Sequence, residues 1–208
     1  AARVLAPNGG TAVIGKDTRV SGYMFESALE AGFVAAGMDV ALLGPIPTPA
    51  IAHMTHSLGA DLGVVISASH NPFDDNGIKF FDGEGRKLSD EIESQIESFL
   101  DEPAITRQSE ELGVASRVDT ARSQYQWFCL STVPESMSLD GVKIVLDCSH
   151  GAAYKVAPRV LSQLGADLIA IGCSPNGLNI NKDCGSTQPK LLQATVRGVG
   201  ADLGIALD

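Results

Sequence analysis

The 208-residue sequence has no long hydrophobic run and no segment typical of export. No stretch approaches the ~18 consecutive apolar residues that a membrane-spanning helix requires, so no membrane partner is expected. A basic start followed by an apolar stretch and a small-residue cleavage site is also missing, so no secretory signal is expected. Together these absences predict a cytoplasmic protein.

Cysteine is sparse and never forms a Cys-x-x-Cys pair; the four residues are Cys129, Cys148, Cys173 and Cys184. Scattered thiols in a chain of this size are typical of a reduced cytosolic protein rather than of a disulfide framework. Their spacing also lacks the pattern of a zinc site, so we expect neither a metal-binding nor a redox role for them.

Positive charge is scarce as well, with 15 Lys and Arg against 25 Asp and Glu and a net charge of −10. Ten of the acidic residues fall between Asp82 and Glu111. Such a surface repels nucleic acid, so nucleic acid is not an expected partner. A small anionic ligand is still compatible, provided that a local cluster of cations and backbone N–H groups holds it.

Short apolar runs alternate with amphipathic stretches along the whole chain. Residues 62–66 are apolar without alternation, which predicts a strand buried on both faces of a mostly parallel sheet. Residues 77–81 predict an antiparallel strand. Further strands are predicted at 12–14, 40–43, 143–147, 168–171 and 203–207, and helices at 22–36, 49–58, 90–100, 119–130, 152–164 and 189–196.

Several residues predict where these helices begin, end or break. Ser21, Thr48 and Ser89 are predicted N-caps, and Gly37 is a predicted helix stop. Pro158 lies inside the predicted helix at 152–164 and should kink or divide it.

The tetrapeptide Gly-Ala-Asp-Leu occurs three times, at 59–62, 165–168 and 200–203. Each copy follows a helical pattern and precedes an apolar run, so its glycine suits a left-handed helix end and its Asp-Leu pair opens a strand. Repeated joints of this kind indicate α/β layers. We therefore predict two consecutive α/β domains with mixed, mostly parallel sheets flanked by helices, over residues 1–112 and 113–208.

The segment after the strand at 62–66 reads Ser-Ala-Ser-His-Asn-Pro-Phe-Asp-Asp-Asn-Gly-Ile-Lys, from Ser67 to Lys79. Ligands of open α/β sheets bind beyond the carboxyl ends of the strands, so the Ser69 hydroxyl is expected to face a ligand there. His70 and Lys79 could supply charge or proton transfer beside it. The residues alone also allow a simple polar turn. A serine-hydrolase site is disfavoured, because the Gly-x-Ser-x-Gly elbow is absent.

Ser-Ala-Ser-His-Asn-Pro followed by Asn-Gly-Ile-Lys resembles the active-site loop of the α-D-phosphohexomutase superfamily. The resemblance implies that Ser69 carries the phosphoryl group and that Lys79 is the candidate general acid/base. It implies that His70 positions or polarises the transferring group. It places Ser67 and Asn71 in the phosphate environment.

Two more segments carry the same resemblance. The segment from Gly15 to Gly22 resembles the loop after the family's first strand, which implies that Lys16 and Arg19 lie near the phosphate. Arginine suits that position because its planar fork donates two parallel hydrogen bonds to a phosphate. The last segment resembles the strand that leads into the family's metal loop, with Asp208 as the first aspartate. This implies that the whole protein holds a Mg²⁺ ion with three carboxylates and the phosphate on Ser69, and that these residues supply Asp208 and Ser69 alone.

Within the superfamily, the segment from Gly177 to Thr187 resembles the phosphoglucosamine mutase branch, and so does Ser67, where glucose-type relatives often have threonine. The resemblance implies an isomerase that interconverts glucosamine 6-phosphate and glucosamine 1-phosphate, with a sugar 1,6-bisphosphate as intermediate and activator. The product would feed UDP-N-acetylglucosamine and cell-wall synthesis.

The resemblance covers the whole chain but a little under half of the family's four-domain length, so these residues alone are expected to be inactive. Two alternatives stay open: a mutase for glucose or mannose phosphates, and a sugar-phosphate-binding fragment without catalysis.

Overall fold

The computed structural model describes residues 1–104 and 106–208, which form two compact units. The first unit contains Ala1–Lys16, Gly22–Ser67 and Gly77–Ala121. The second contains Asp17–Ser21, Ala68–Asn76 and Arg122–Asp208. Two short loops from the first half of the chain thus belong to the second unit.

The sheet of the first unit has five strands in the order β4–β3–β1–β2–β5, and only the β3–β4 pair is antiparallel. This confirms the predicted mixed, mostly parallel sheet. The strands are β1 (Gly10–Lys16), β2 (Met38–Pro45), β3 (Leu62–Ile66), β4 (Ile78–Asp82) and β5 (Ala115–Arg117). The helices are α1 (Ala2–Leu5), α2 (Ser21–Ala35), α3 (Thr48–Ser57) and α4 (Asp90–Glu97), with a 3₁₀ turn at Ser109–Glu111.

The core of this unit forms around the central strands β1 and β3. All five residues of β3 are buried, as its lack of alternation predicted. Ile14 on β1 and Val64 on β3 join Phe33 of α2 and Met38 of β2 in one apolar cluster. The central strands of the sheet are therefore covered on both faces.

The second unit is built on three parallel strands in the order β7–β6–β8. Its elements are α5 (Ala121–Ser131), β6 (Lys143–Asp147), a 3₁₀ turn (Ala152–Lys155), α6 (Ala157–Gln163), β7 (Asp167–Ile171), α7 (Lys190–Val199) and β8 (Leu203–Ala206). The predicted division of the helix at Pro158 is confirmed, because the 3₁₀ turn ends before α6 and proline occupies the first turn of α6.

The three Gly-Ala-Asp-Leu copies form the joints that were predicted. Gly59, Gly165 and Gly200 all have positive φ angles, of 62°, 98° and 62°. In two copies the aspartate also binds the first residues of the neighbouring central strand. Asp61 Oδ2 accepts the Thr11 amide at 2.8 Å, and Asp202 Oδ2 accepts the Lys143 amide at 2.8 Å.

The same two aspartates return a backbone hydrogen bond to their partners. The amide of Asp61 donates to the carbonyl of Thr11 at 3.0 Å, and that of Asp202 donates to the carbonyl of Lys143 at 2.9 Å. We call these reciprocal pairs the aspartate caps. They fix the register of β3 on β1 and of β8 on β6 at the amino-terminal edge of each sheet.

Two predicted helix starts were wrong. Ser21 is the first residue of α2 rather than its cap, and its hydroxyl donates to Asn76 Oδ1 at 2.6 Å. Thr48 also lies inside its helix, whose N-cap is Pro47. At the third predicted cap, Ser89 does precede α4, and its hydrogen bond lowers the pKa of Glu91.

Between the two predicted domains, the structure differs from the sequence prediction at two further points. Helix α4 ends at Glu97, so Leu100 lies beyond it and its side chain is 77% exposed. The short strand β5 was not predicted, because three residues with polar neighbours carry too little periodicity. It pairs with β2. The domain boundary at 112/113 stays a prediction.

Among the described residues, no helix combines the length and the apolar character needed to cross a membrane.

Replacing Leu62 by alanine should lower the free energy of unfolding by about 2–5 kcal/mol, because a fully buried leucine leaves a cavity in the core of β3. Leu100→Ala is the matched control, since the exposed leucine should change stability by no more than about 0.5 kcal/mol. Urea denaturation monitored by far-UV circular dichroism measures the free energy of unfolding of both variants. Equal effects of the two substitutions would contradict the assigned core.

Candidate functional site

The strand β3 ends at Ile66, and the chain then leaves the sheet in a loop that contains Ser69. The amide of Ser67 donates to the carbonyl of Gly77 at 2.9 Å, which closes the base of this excursion. The segment Ala68–Asn76, here called the Ser69 loop, belongs to the second unit. Ser69 itself has a φ of 54°, a left-handed conformation that is uncommon for serine.

Arg19 supports the Ser69 loop through hydrogen bonds to its backbone carbonyls. Its side chain is only 1% exposed, and it forms a buried ion pair with Asp17. Its Nη2 donates to the carbonyl oxygens of Ser69 at 3.2 Å, Asn71 at 2.7 Å and Pro72 at 3.3 Å. The predicted arginine is thus beside the loop, but its planar fork is occupied by backbone oxygens of the loop.

The short segment Asp17–Ser21 that carries Arg19 is fixed by further hydrogen bonds. Asp17 Oδ1 accepts the Arg19 amide at 2.9 Å, which turns the chain directly after β1. Thr18 Oγ1 donates to the carbonyl of His150 at 2.6 Å. The Val20 amide donates to the carbonyl of Gly177 at 3.0 Å.

Asn181 also contacts the Ser69 loop, and sequence reasoning did not single it out as a site residue. Its Nδ2 donates to the carbonyl oxygens of Ser69 and Asn71, at 3.0 Å each. Asn181 lies in the segment from Gly177 to Thr187, whose resemblance to one branch of the superfamily assigns no site role to this residue. An asparagine that supports a loop cannot be distinguished from a turn asparagine by residue type alone.

The Ser69 hydroxyl points to Asp208. Ser69 Oγ donates to Asp208 Oδ2 at 2.8 Å, and His70 Nδ1 lies 3.7 Å from the same oxygen. Asp208 and His70 are both about half exposed, so this group of side chains is open to solvent. A hydroxyl hydrogen-bonded to a carboxylate has an acceptor for its proton, which suits a nucleophile or a phosphoryl acceptor.

The residue before Asp208 is held by the carboxyl end of β6. The Leu207 amide donates to the carbonyl of Asp147 at 2.9 Å. The Leu207 carbonyl accepts the Ser186 amide at 3.0 Å and the buried Ser149 hydroxyl. Leu207 is therefore fixed through both its amide and its carbonyl group.

Asp147 is fully buried and binds two backbone amides, those of Ser149 at 2.9 Å and Gly185 at 2.7 Å. Gly185 is required here, because a Cβ atom would lie 2.2 Å from Ser149 Oγ and 3.0 Å from the Leu207 carbonyl. Its φ of 81° is also in the left-handed region. This close approach brings the loop after Ile180 onto the end of β6.

The other three predicted site residues belong to the first unit. Lys16 is 1% exposed and forms a buried ion pair with Glu26. Its Nζ also lies 3.4 Å from the ring centroid of Tyr23. Ser67 stands at the base of the Ser69 loop, and Lys79 is an exposed residue of β4 opposite Val65. The phosphate-binding and acid/base roles of these three residues stay predictions.

Three thiols of the second unit, Cys148, Cys173 and Cys184, are buried or partly buried. Burial raises the pKa of Cys148 and Cys173, and it raises that of Cys184 to about 11. A protonated thiol is a poor nucleophile and a poor metal ligand.

The described residues offer hard oxygen donors for a divalent cation, but few of them. Asp208 and Ser69 provide a carboxylate and a hydroxyl oxygen 2.8 Å apart, which suits Mg²⁺ in donor chemistry. No group of three or more His, Cys, Asp or Glu side chains with metal-binding geometry occurs among residues 1–104 and 106–208. The donor set therefore fits part of a magnesium site.

Arg19→Lys should loosen the Ser69 loop, because lysine cannot contact three carbonyl oxygens and Asp17 at once. Hydrogen–deuterium exchange of the peptide that contains residues 68–76 should become at least about tenfold faster, as expected for the loss of charge-assisted hydrogen bonds. Arg86→Lys, at an exposed arginine, should leave this peptide unchanged. Equal exchange in both variants would contradict the supporting role of Arg19.

Comparison with known proteins agrees with this arrangement. Residues 1–105 match the model of alpha/beta/alpha domain I of phosphoglucomutase/phosphomannomutase, and residues 124–208 match the model of domain II. A phosphoglucomutase/phosphomannomutase family protein from Burkholderia thailandensis has a similar structure. Its TM-score is 0.80 at 28% identity, over 99% of this chain and 45% of that one.

Curated relatives named phosphoglucosamine mutase match across nearly the whole chain. The protein from Pseudomonas fluorescens is 60% identical over 94% of this chain and 44% of its own length. That from Actinobacillus succinogenes is 56% identical over 100% of this chain and 47% of its own length. The chain thus spans a little under half the length of these relatives. It belongs to the phosphoglucomutase/phosphomannomutase family, and its relatives in the phosphoglucosamine mutase branch share most of its residues.

Proposed function

We propose that this chain forms the phosphoserine half of an enzyme that interconverts glucosamine 6-phosphate and glucosamine 1-phosphate. The observation that carries the proposal is the Ser69 hydroxyl, which stands at the tip of a loop in the left-handed conformation and donates to Asp208. The relatives named phosphoglucosamine mutase support the choice of sugar.

The first transfer starts from Ser69 in its phosphorylated form. The bond between phosphorus and Ser69 Oγ breaks, and a bond from phosphorus to the 1-oxygen of glucosamine 6-phosphate forms. The proton of that hydroxyl passes to a general base, for which Lys79 is the proposed residue. Ser69 Oγ takes up a proton from solvent as its bond to phosphorus breaks. The products are the 1,6-bisphosphate and the free Ser69 alcohol, with Asp208 within hydrogen-bonding distance.

The second transfer reverses these bonds at the other end of the sugar. After the bisphosphate has turned in the site, its 6-phosphoryl group moves to Ser69 Oγ. The Ser69 proton leaves to solvent as that bond forms, since the side chains around Ser69 are about half exposed. The 6-oxygen takes up a proton, so glucosamine 1-phosphate departs and phosphoserine is restored. A sugar 1,6-bisphosphate can phosphorylate Ser69 by the same reaction, which explains the proposed activator.

Negative charge on the transferring group requires nearby positive charge, since the transition state spreads charge over the phosphoryl oxygens. His70 is the proposed N–H donor to the phosphoryl oxygens, because its half-exposed ring lies beside Asp208. Asp208 and the Ser69 phosphate are the groups of this chain that would hold Mg²⁺. When bound, the ion would neutralise charge on the phosphoryl oxygens.

Ser69→Ala in a full-length protein that contains this chain should abolish mutase activity and remove phosphate from the protein, because no oxygen is left to carry it. Intact mass with peptide mapping and a mutase assay measure the two effects. Ser57→Ala, at an exposed helical serine, is the matched control and should keep both. Wild-type turnover by the Ser69 variant would refute the proposal.

The alternative within the family is a mutase for glucose or mannose phosphates, which the name of the matching family model favours. For the glucosamine assignment, kcat/KM on glucosamine 6-phosphate should exceed that on the glucose and mannose 6-phosphates by at least about tenfold, the scale of discrimination from a few pocket contacts. Equal or greater efficiency on glucose or mannose phosphate would select the alternative. Binding without turnover, in a protein of full length, would instead select the non-catalytic class.

A further inference from the structure

Of the three asparagines in the loop between β7 and α7, Asn179 and Asn181 make different contacts. Asn179 closes a turn within its own segment: its Oδ1 accepts the Asn176 amide at 2.9 Å, and its Nδ2 donates to the Ser174 carbonyl at 3.1 Å. Asn181, two residues later, makes no such local bond among its described contacts. Its side chain reaches the Ser69 loop.

The backbone of Asn181 is fixed before its side chain makes any contact. Its φ is 58°, in the left-handed region that asparagine tolerates better than most residues. Its amide donates to the carbonyl of Ser149 at 2.8 Å. Ile180 and Cys184, on either side of it in sequence, are buried. The amide group of the side chain is therefore presented from a rigid base.

That amide group matches the two oxygens that it contacts. Both partners, the carbonyls of Ser69 and Asn71, are acceptors only, so the NH₂ end of the amide must face them. One NH₂ group has two N–H donors, and each carbonyl lies 3.0 Å away. An aspartate of the same size would place a charged oxygen against both carbonyls.

The carbonyls of Ser69 and Asn71 accept from Arg19 as well. Each carbonyl oxygen has two lone pairs and can take both donors. Ser69 has an uncommon positive φ, and such a backbone persists only where its surroundings determine it fully. Arg19 and Asn181 provide that determination from two separate segments of the second unit.

We propose that Asn181 is a positioning residue for phosphoryl transfer at Ser69. By holding the carbonyls of Ser69 and Asn71, it keeps Ser69 in the conformation that directs Oγ to Asp208. It touches neither the hydroxyl nor the sugar, so it acts through the loop. This inference rests on the proposed function, because it concerns how the phosphoserine residue is aimed.

The test is Asn181→Asp in a full-length protein that contains this chain. We expect kcat to fall by about 10- to 100-fold, since a displacement of about 1 Å at a reacting group has effects of this size. KM for glucosamine 6-phosphate should stay within about twofold, because no sugar contact is removed. Asn179→Asp is the matched control: it makes the same change two residues away and should keep kcat within about twofold.

A second variant distinguishes a loss of activity from a loss of folded protein. Asn181→Gly retains a residue that accepts the left-handed conformation and removes the side chain with its two donors, so it should also lower kcat. Activities are expressed per folded molecule, with the folded fraction taken from near-UV circular dichroism. Phosphorylation of Ser69 by glucosamine 1,6-bisphosphate, followed by intact mass, should slow in parallel with kcat.

The proposal is overturned if Asn181→Gly keeps the kcat of the Asn179 control, or if loss of folded protein accounts for the whole loss of activity. An increase in KM with unchanged kcat would also overturn it, because that pattern indicates a substrate contact. The proposed function fails in a different way, through an active Ser69→Ala variant or through the absence of any phosphate on wild-type Ser69.

Discussion

The site depends on one interaction, the contact of a buried guanidinium with the backbone carbonyls of the Ser69 loop. Arg19 is held by Asp17 and by the turn that Asp17 forms after β1, and its remaining donors point to Ser69, Asn71 and Pro72. A buried charge is tolerated only when it is paired and fully hydrogen-bonded. The loop satisfies that requirement, so the arginine and the loop determine each other.

A buried aspartate forms a similar turn at the end of each central strand, β1 and β6. Asp17 follows β1 and Asp147 ends β6, and each carboxylate accepts the amide two residues further on. Both aspartates are buried, and both use their second oxygen for a further partner, the Arg19 guanidinium in one case and the Gly185 amide in the other. The acidic residues thus act as backbone acceptors that shape the two loops, while Asp208 is the exposed carboxylate beside Ser69.

Much of this architecture could be predicted from the sequence. The unbroken apolar run of β3, the three Gly-Ala-Asp-Leu joints and the proline that divides residues 152–164 all carry local signals with a direct physical cause. The family motif likewise drew attention to Ser69, His70 and Asp208, which the structure places together in one group. These signals are local, and local structure follows them.

The contacts that the sequence does not reveal involve partners in other segments of the chain. Arg19 was expected to face a phosphate, but nothing near it in sequence indicates that loop carbonyls occupy its donors. Lys16 was expected at the same place, and its buried partner Glu26 lies ten residues further on in a different element. Asn181 and the strand β5 are defined by long-range contacts too. Residue type shows what a side chain can bind, whereas the fold decides which partner it meets.

The aspartate caps at the amino-terminal edge of each sheet have a consequence for the opposite edge. Parallel strands have no hairpin to set their alignment, and a slip of one residue would shift a strand by about 3.3 Å and reverse the faces of its side chains. Asp61 and Asp202 stand at the starts of β3 and β8, the strands that lead to Ser69 and to Asp208. Within the second unit, the position at which the chain delivers Asp208 is therefore determined at the far end of β8, about 13 Å away for a strand of four residues.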